Sequence, residues 1–177
     1  MIEMSFSGLR TCQVDRQPVM LLRQKDGDYY LPIVIGPYEA QAISLGWQKV
    51  STPRPMSHDL IRNMLTHLSA HVTSVYINDF KDGIFYARLI IDADGRHAEV
   101  DSRPSDAVAL AVRMGVPILV EEWIIDTAGF NSEEADVDRA LDRIGEYEPA
   151  ERDRHEGLAV FRDFINSLDM DDLEPKK

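Results

Sequence analysis

A single cysteine, Cys12, leaves the chain unable to close an intramolecular disulfide, and no Cys-x-x-Cys pair is present from which a zinc ribbon or a dithiol redox site could be built. A reducing compartment is expected. Basic residues are scarce: 19 Lys and Arg stand against 31 Asp and Glu, a net charge of −12, which repels polyanions at long range and excludes non-specific coating of nucleic acid. No apolar run approaches the ~18 residues of a membrane span. Glu3 stands where a signal peptide would carry basic residues, so a cytoplasmic protein that makes no membrane contact is expected. Also missing are a Gly-rich phosphate loop, a His-Glu-x-x-His pair and a Gly-x-Ser-x-Gly elbow, so several familiar enzyme classes lack sequence support. What is present is ordinary globular composition, 44% hydrophobic and 28% charged in 177 residues, enough for one domain with an appendage but not for two large domains.

Charge divides the chain near Gly129: residues 131–177 carry 15 acids and 7 bases, whereas residues 1–130 carry 16 acids and 12 bases. A domain over 1–128 and an acidic helical extension over 129–177 are expected. The runs Val19–Leu22 and Tyr29–Ile35, separated by Lys25-Asp26-Gly27-Asp28, predict a hairpin. Pro37 suits the first position of a helix that Gly46 would end, with Ala40, Ile43 and Trp47 on its buried stripe. A second helix is predicted after an N-cap at Ser57, with Ile61, Met64, Leu65 and Leu68 at the spacing of a core face. Residues 72–80, 84–92 and 96–101 read as three antiparallel strands joined by turns at Asp82-Gly83 and Asp94-Gly95. A third helix is expected from Asp106 to Met114, capped by Ser105 and closed by Gly115, before the strand Ile118–Val120. Strands in runs with helices inserted predict an α+β fold, a mixed and largely antiparallel sheet with three packed helices and a C-terminal helical extension; a doubly wound fold is the alternative. In that extension Val137, Leu141 and Ile144 form one apolar stripe, and Leu158, Phe161, Ile165 and Leu168 another.

Acids recur in the first turns of the predicted helices: Glu39, Asp59 and Asp106. Each compensates a helix dipole, worth ~0.3–1 kcal/mol, and needs no further role for that. The segment Asp101-Ser102-Arg103-Pro104-Ser105-Asp106 offers more, because two acids and an arginine meet where a strand ends and a helix begins. Backbone N–H groups there bind phosphate, and Arg103 can grip one bidentately; alternatively Arg103 pairs with Asp101 or Asp106 and fixes the loop. Arg113 lies on nearly the same helix face as Asp106 but ~10 Å along the axis. In the preceding strand His97, Glu99 and Asp101 share one face, a row that could hold a divalent metal or simply be wet. His58-Asp59 supplies a base and an acid, although adjacent helical residues point ~100° apart.

Three segments in order, Leu31-Pro32-Ile33-Val34-Ile35-Gly36-Pro37-Tyr38-Glu39-Ala40, Arg54-Pro55-Met56-Ser57-His58-Asp59-Leu60 and Asp101-Ser102-Arg103-Pro104-Ser105-Asp106-Ala107-Val108-Ala109-Leu110-Ala111, together resemble the bifunctional nuclease domain family. The resemblance covers residues 1–128 and includes the hairpin Asp79–Tyr86 and the strand Pro117–Glu122. It implies an α+β domain that self-associates as a homo-oligomer and, in active members, cleaves RNA and DNA. The family's shared polar positions fall on Glu39, His58, Asp59, Asp101, Arg103, Ser105, Asp106 and Arg113.

Two functions follow as expectations. In the first, the protein is a nuclease. Asp101 and Asp106, with Glu39 or Asp59, hold a divalent cation, Mg2+ or Mn2+, that activates water; His58 acts as general base or acid; Arg103, Ser105 and Arg113 bind substrate; no organic cofactor takes part. In the second, it is a non-catalytic oligomeric regulatory or protein-binding module whose loop is architecture and whose acidic tail meets a basic partner. A small-molecule phosphate enzyme using the same loop is a third possibility.

Overall fold

The computed structural model describes residues 1–12 and 16–131. Both stripes expected beyond Asn131 lie outside the described residues. Along the chain run β1 (Ile2–Thr11), β2 (Pro18–Gln24), β3 (Tyr29–Val34), α1 (Pro37–Trp47), α2 (Ser57–His67), β4 (Ala70–Lys81), β5 (Ile84–Ala93), β6 (Arg96–Ser102), α3 (Pro104–Met114), β7 (Ile118–Val120), α4 (Glu122–Ala128) and β8 (Phe130–Asn131). The strands form one sheet in the order β6-β5-β4-β7-β1-β2-β3-β8. Among the described residues only the β4–β7 pair is parallel, so the class is α+β with a mixed, mostly antiparallel sheet. No helix among the described residues is long and apolar enough to cross a membrane.

Local chemistry explains the joins. Asp82 and Gly83 both have positive φ, as do Asp94 and Gly95, which is the type I′ geometry whose twist matches tight hairpins. Gly8, at φ +142°, sits at a bulge in β1, where the register with β2 shifts between Phe6 and Gly8. The outgoing chain of β6 turns into α3, which crosses back over β5 and β4 and delivers β7 to the sheet centre. From Pro104 to Ala111 every residue of α3 except Asp106 is buried, and three of them are alanines, small enough to let α1, α2 and the sheet approach closely. The core on this face joins Met20, Leu22, Leu31, Ile43, Val75, Ile77, Val108, Leu110, Val120 and Ile124. Val19 and Leu21, alternating with Met20 and Leu22, form a second small cluster with Cys12, which is buried.

Several local expectations are corrected. Ser57 and Ser105 are not caps: Met56 and Arg103 are, which leaves Ser57 as the first residue of α2 and Ser105 buried in the first turn of α3. Gly46 does not end α1, which runs on through Trp47; a Cβ there would stand 2.8 Å from Arg113 Cζ, so the glycine makes room for that side chain. Trp47 is half exposed, packed edge-on against Phe6. The stripe on α2 is not a core face. Ile61, Met64 and Leu68 are exposed, with only Leu65 packed against the core, and no residue of α2 is fully buried. At the other end of the domain the sheet extends to Asn131, because Phe130–Asn131 pairs with Tyr29–Tyr30.

Candidate active site

The three long helices begin in the same way. Gly36, Met56 and Arg103 are extended caps, and three residues later each helix carries an acid: Glu39, Asp59 and Asp106. Placing the acid at this position aligns it with the positive end of the helix dipole. Packing α1 and α2 against α3 brings the first turns together at one end of the helical layer, and the three carboxylates divide into two sets.

The first set is built round Arg103. Its Nε donates to Asp106 Oδ2 at 2.7 Å, its Nη2 to Asp106 Oδ1 at 3.2 Å and its Nη1 to Glu39 Oε1 at 3.0 Å. Three of the five guanidinium N–H groups are used, which leaves two for a ligand. His58 Nε2 lies 3.1 Å from Asp106 Oδ1. Burial acts to raise the Asp106 carboxyl, but hydrogen bonds from Arg103 and His58, with the charges behind them, outweigh it and hold the group below its ordinary value. An ionised carboxylate only accepts, so Nε2 carries a proton toward it, and Nδ1 is an acceptor in that tautomer of the neutral ring. The His58 side chain is largely buried at 12% exposure, whereas Arg103 is 65% exposed. Gly36 belongs to the same construction: the Glu39 carboxylate folds back over it, where a Cβ would collide. An open cleft of about 490 Å³ lies against these groups, also lined by Tyr38, Ser57 and Ile61.

The second set is a buried pair. Arg113 Nε donates to Asp59 Oδ1 at 2.9 Å and its Nη1 to the Ala109 carbonyl at 2.8 Å, while Asp59 Oδ2 accepts from the Met56 backbone N–H at 3.1 Å. Arg113 is only 4% exposed. Burial again acts to raise the Asp59 carboxyl, and the Arg113 hydrogen bond, the Met56 N–H and the charges of Arg113 and Arg62 bring it below the usual value. Asp59 is therefore bound to Arg113 and not to His58; the acid that orients His58 is Asp106, 48 residues away.

Asp101 stands apart from both sets. In β6 it pairs with Arg88 of β5, whose neighbours Ala87 and Leu89 point into the helix-covered core. By alternation Asp101 and Arg88 lie on the opposite face of the sheet. His97 and Glu99 share that face, paired to Asp92 at 3.2 Å and Arg88 at 2.5 Å. Asp101 thus does not meet Asp106 across the strand end. Among the described residues no three His, Cys, Asp or Glu side chains are grouped to hold a metal ion. Sequence reasoning passed over one further polar contact, in which the Tyr76 hydroxyl donates to Glu121; this bond, followed by burial, pushes the phenol up to about 12.

Comparison with known proteins matches residues 20–133 to the bifunctional nuclease domain model. An uncharacterized protein of Mycobacterium tuberculosis is 41% identical over 172 residues, covering 97% of this chain and 98% of its own length. Bifunctional nuclease 2 of Oryza sativa subsp. japonica is 31% identical over 122 residues, 67% of this chain and 38% of the rice protein. Bifunctional nuclease 1 of Arabidopsis thaliana is 26% identical over 116 residues, 63% of this chain and 36% of the plant protein. The chain therefore spans well under half of these plant relatives.

Proposed function

The chain belongs to the bifunctional nuclease domain family, and on that premise we propose that it is a nuclease hydrolysing phosphodiester bonds in RNA and DNA. The observation that carries the reading is the hydrogen bond from His58 Nε2 to Asp106 beside the cleft. An imidazole oriented by an ionised carboxylate presents its second nitrogen as a base, the logic by which acid–His pairs activate a nucleophile. Water held against Nδ1 attacks phosphorus. Its proton passes to His58, the new P–O bond forms, and the bond to the leaving sugar oxygen breaks, that oxygen taking a proton from solvent. Arg103 presents its two unused N–H groups to the charge that grows on the phosphoryl oxygens, and Glu39 fixes the guanidinium from the α1 side.

Mg2+ or Mn2+ does not fit the carboxylates as they stand. Asp106 accepts at both oxygens from Arg103 and His58, Glu39 Oε1 accepts from Arg103, and Asp101 is on the other face of the sheet. Ser105 is buried in the first turn of α3, and the Asp59–Arg113 pair positions α2, on which His58 sits. The exposed apolar stripe of α2, Leu60, Ile61, Met64 and Leu68, is where a second copy packs in a homo-oligomer; uncovered apolar residues at helical spacing mark an association surface. Light scattering on wild type and on Leu60→Glu/Met64→Glu tests this, and a monomeric wild type refutes it.

Cleavage of labelled single-stranded RNA and DNA by wild type, His58→Gln, Asp106→Asn and Asp101→Asn, purified identically and assayed with Mg2+, with Mn2+ and with EDTA, tests the activity. His58→Gln is expected to lose about 10²–10⁴-fold, the usual weight of a general base, while Asp101→Asn keeps its rate. If all four proteins cut equally, the activity belongs to a contaminant; if none cuts, the reading as a regulatory module replaces this one. Loss in Asp101→Asn alone would overturn the placement of the site.

A further inference from the structure

A second cleft of about 450 Å³ opens on the other side of the first turn of α2, between the end of α1, the start of α2 and the end of α3. Leu45 and Met56 line both clefts, so the two are neighbours. In a chain of net charge −12 this cleft is locally positive. Lys49, Arg62 and Arg113 line it against one acid, Asp59, and both oxygens of that acid are occupied by Arg113 Nε and the Met56 N–H. Neither the Lys49 ammonium nor the Arg62 guanidinium has a hydrogen bond or ion pair among the described residues. Arg113, although almost wholly buried, spends Nε and Nη1 on protein, which leaves Nη2 without a partner among the described residues. Ser51 and Asn63 add a hydroxyl and an amide to the lining. Lys49 itself is held at φ +53°, a left-handed conformation that costs a non-glycine residue free energy and persists only where its surroundings fix it.

We infer that this cleft is an anion subsite that holds a backbone phosphate of a single-stranded nucleic acid adjacent to the phosphate in the His58 cleft, through Lys49 and Arg62 at its mouth and Arg113 at its floor. The inference rests on the nuclease reading for the identity of the ligand. The charge of the site does not depend on that reading. A polyanion meets net repulsion from this protein at long range, so productive contact needs a few concentrated cations along its path. Arg103 supplies one; Lys49 and Arg62 supply the next.

The test is equilibrium binding of a fluorescein-labelled single-stranded oligonucleotide to the full chain at several salt concentrations, for wild type, Lys49→Asn/Arg62→Gln and Asp106→Asn. Asparagine tolerates the left-handed backbone at position 49 and glutamine keeps the helix at 62, so the double variant folds, which circular dichroism checks. Each phosphate contact contributes about 0.7 to the slope of log affinity against log salt for single strands. The double variant, which loses its grip on one phosphate, is therefore expected to have a slope shallower by about 0.7. Between 50 and 200 mM salt the wild type loses about 2.6-fold more affinity than the variant. Cleavage of a dinucleotide, which has no second phosphate, is expected to be unchanged in the double variant, while cleavage of the longer strand loses KM rather than kcat. An unchanged slope overturns the subsite while leaving the nuclease reading to its own test, and so does an oligonucleotide that fails to bind wild type. A shallower slope in a protein that cuts nothing upholds the subsite and overturns the nuclease.

Discussion

Replacing Asp59 by alanine strands a charge. Arg113 is 4% exposed and Asp59 22%, and the 2.9 Å bond between them is the only ion pair either makes among the described residues. Breaking a buried pair by removing one partner costs about 3–5 kcal/mol, because the other charge stays desolvated. The partial exposure of Asp59 and the Ala109 carbonyl that Arg113 retains place this case near the lower figure, about 3 kcal/mol. At roughly 2–4 °C per kcal/mol for a chain of this size, Asp59→Ala should melt about 6–12 °C lower. The reverse truncation, Arg113→Met, should cost less, about 1–2 kcal/mol, since Asp59 keeps the Met56 N–H and some water. Asp59→Leu/Arg113→Leu should recover most of the loss, because replacing both charges by packed apolar groups is often neutral. Urea unfolding of wild type, Asp59→Ala, Arg113→Met and Asp59→Ala/Arg113→Met gives the cycle, with Asp59→Leu/Arg113→Leu measured beside it. A cost below 1 kcal/mol for Asp59→Ala, or a coupling energy within error of zero, would refute the assignment of this pair to the architecture of α2.

Acid titration should show the same groups. The Asp59 and Asp106 carboxyls are both held below the usual 3.8 in the folded protein, so their contribution to stability is complete above that pH and is lost as pH falls through the lower folded values; stability that stays flat from pH 5 to pH 2.5 contradicts this. At the alkaline end Tyr76, raised to about 12, contributes stability that is complete below pH 10 and lost as pH climbs toward 12; absorbance at 295 nm should show a late phenol that Tyr76→Phe removes. Gly46→Ala should cost about 1–3 kcal/mol, the penalty of overpacking, since a Cβ there collides with the Arg113 guanidinium; a fully neutral substitution would show that Arg113 can move aside.

Periodicity and turn residues were enough to find most elements and the class. The Asp-Gly turns put β4, β5 and β6 where they are, and Pro37 marks the first residue of α1. β1 is not legible from periodicity, although Ile2, Met4 and Phe6 alternate, because the bulge at Gly8 interrupts the period after three apolar residues. α4 is seven residues long, too short for a helical stripe to show. The stripe on α2 illustrates a different limit. Spacing identifies a face but not what covers it, and an apolar face that meets no core of its own chain reads identically in sequence to one that does. In the candidate site, the residue types were legible and their pairing was not. His58 next to Asp59 suggests a dyad, yet a helix separates neighbours by ~100°, and the partner comes from another element through packing of the alanine-rich α3.

That packing also explains how one repeated local device serves two ends. Glu39, Asp59 and Asp106 occupy the same position in their helices, so dipole compensation alone accounts for the residue type at each. What separates them is the cation each meets. Arg103, on an exposed cap, binds Glu39 and Asp106 and keeps two donors for solvent; the buried side chain of Arg113, near the C-terminal end of α3, closes on Asp59 and the Ala109 carbonyl. A carboxylate tied to a solvent-exposed guanidinium can exchange partners when a phosphate arrives, whereas one tied to a buried guanidinium cannot without the cost worked out above. Swapping the environments is therefore more informative than deleting the acids. Arg103→Met should free Asp106 with little loss of stability, under about 1 kcal/mol for so exposed a pair, yet reduce cleavage by orders of magnitude, while Arg113→Met should do the opposite in rank. If both variants lose stability and activity in equal proportion, the division of the three acids into a reacting set and a supporting pair is wrong.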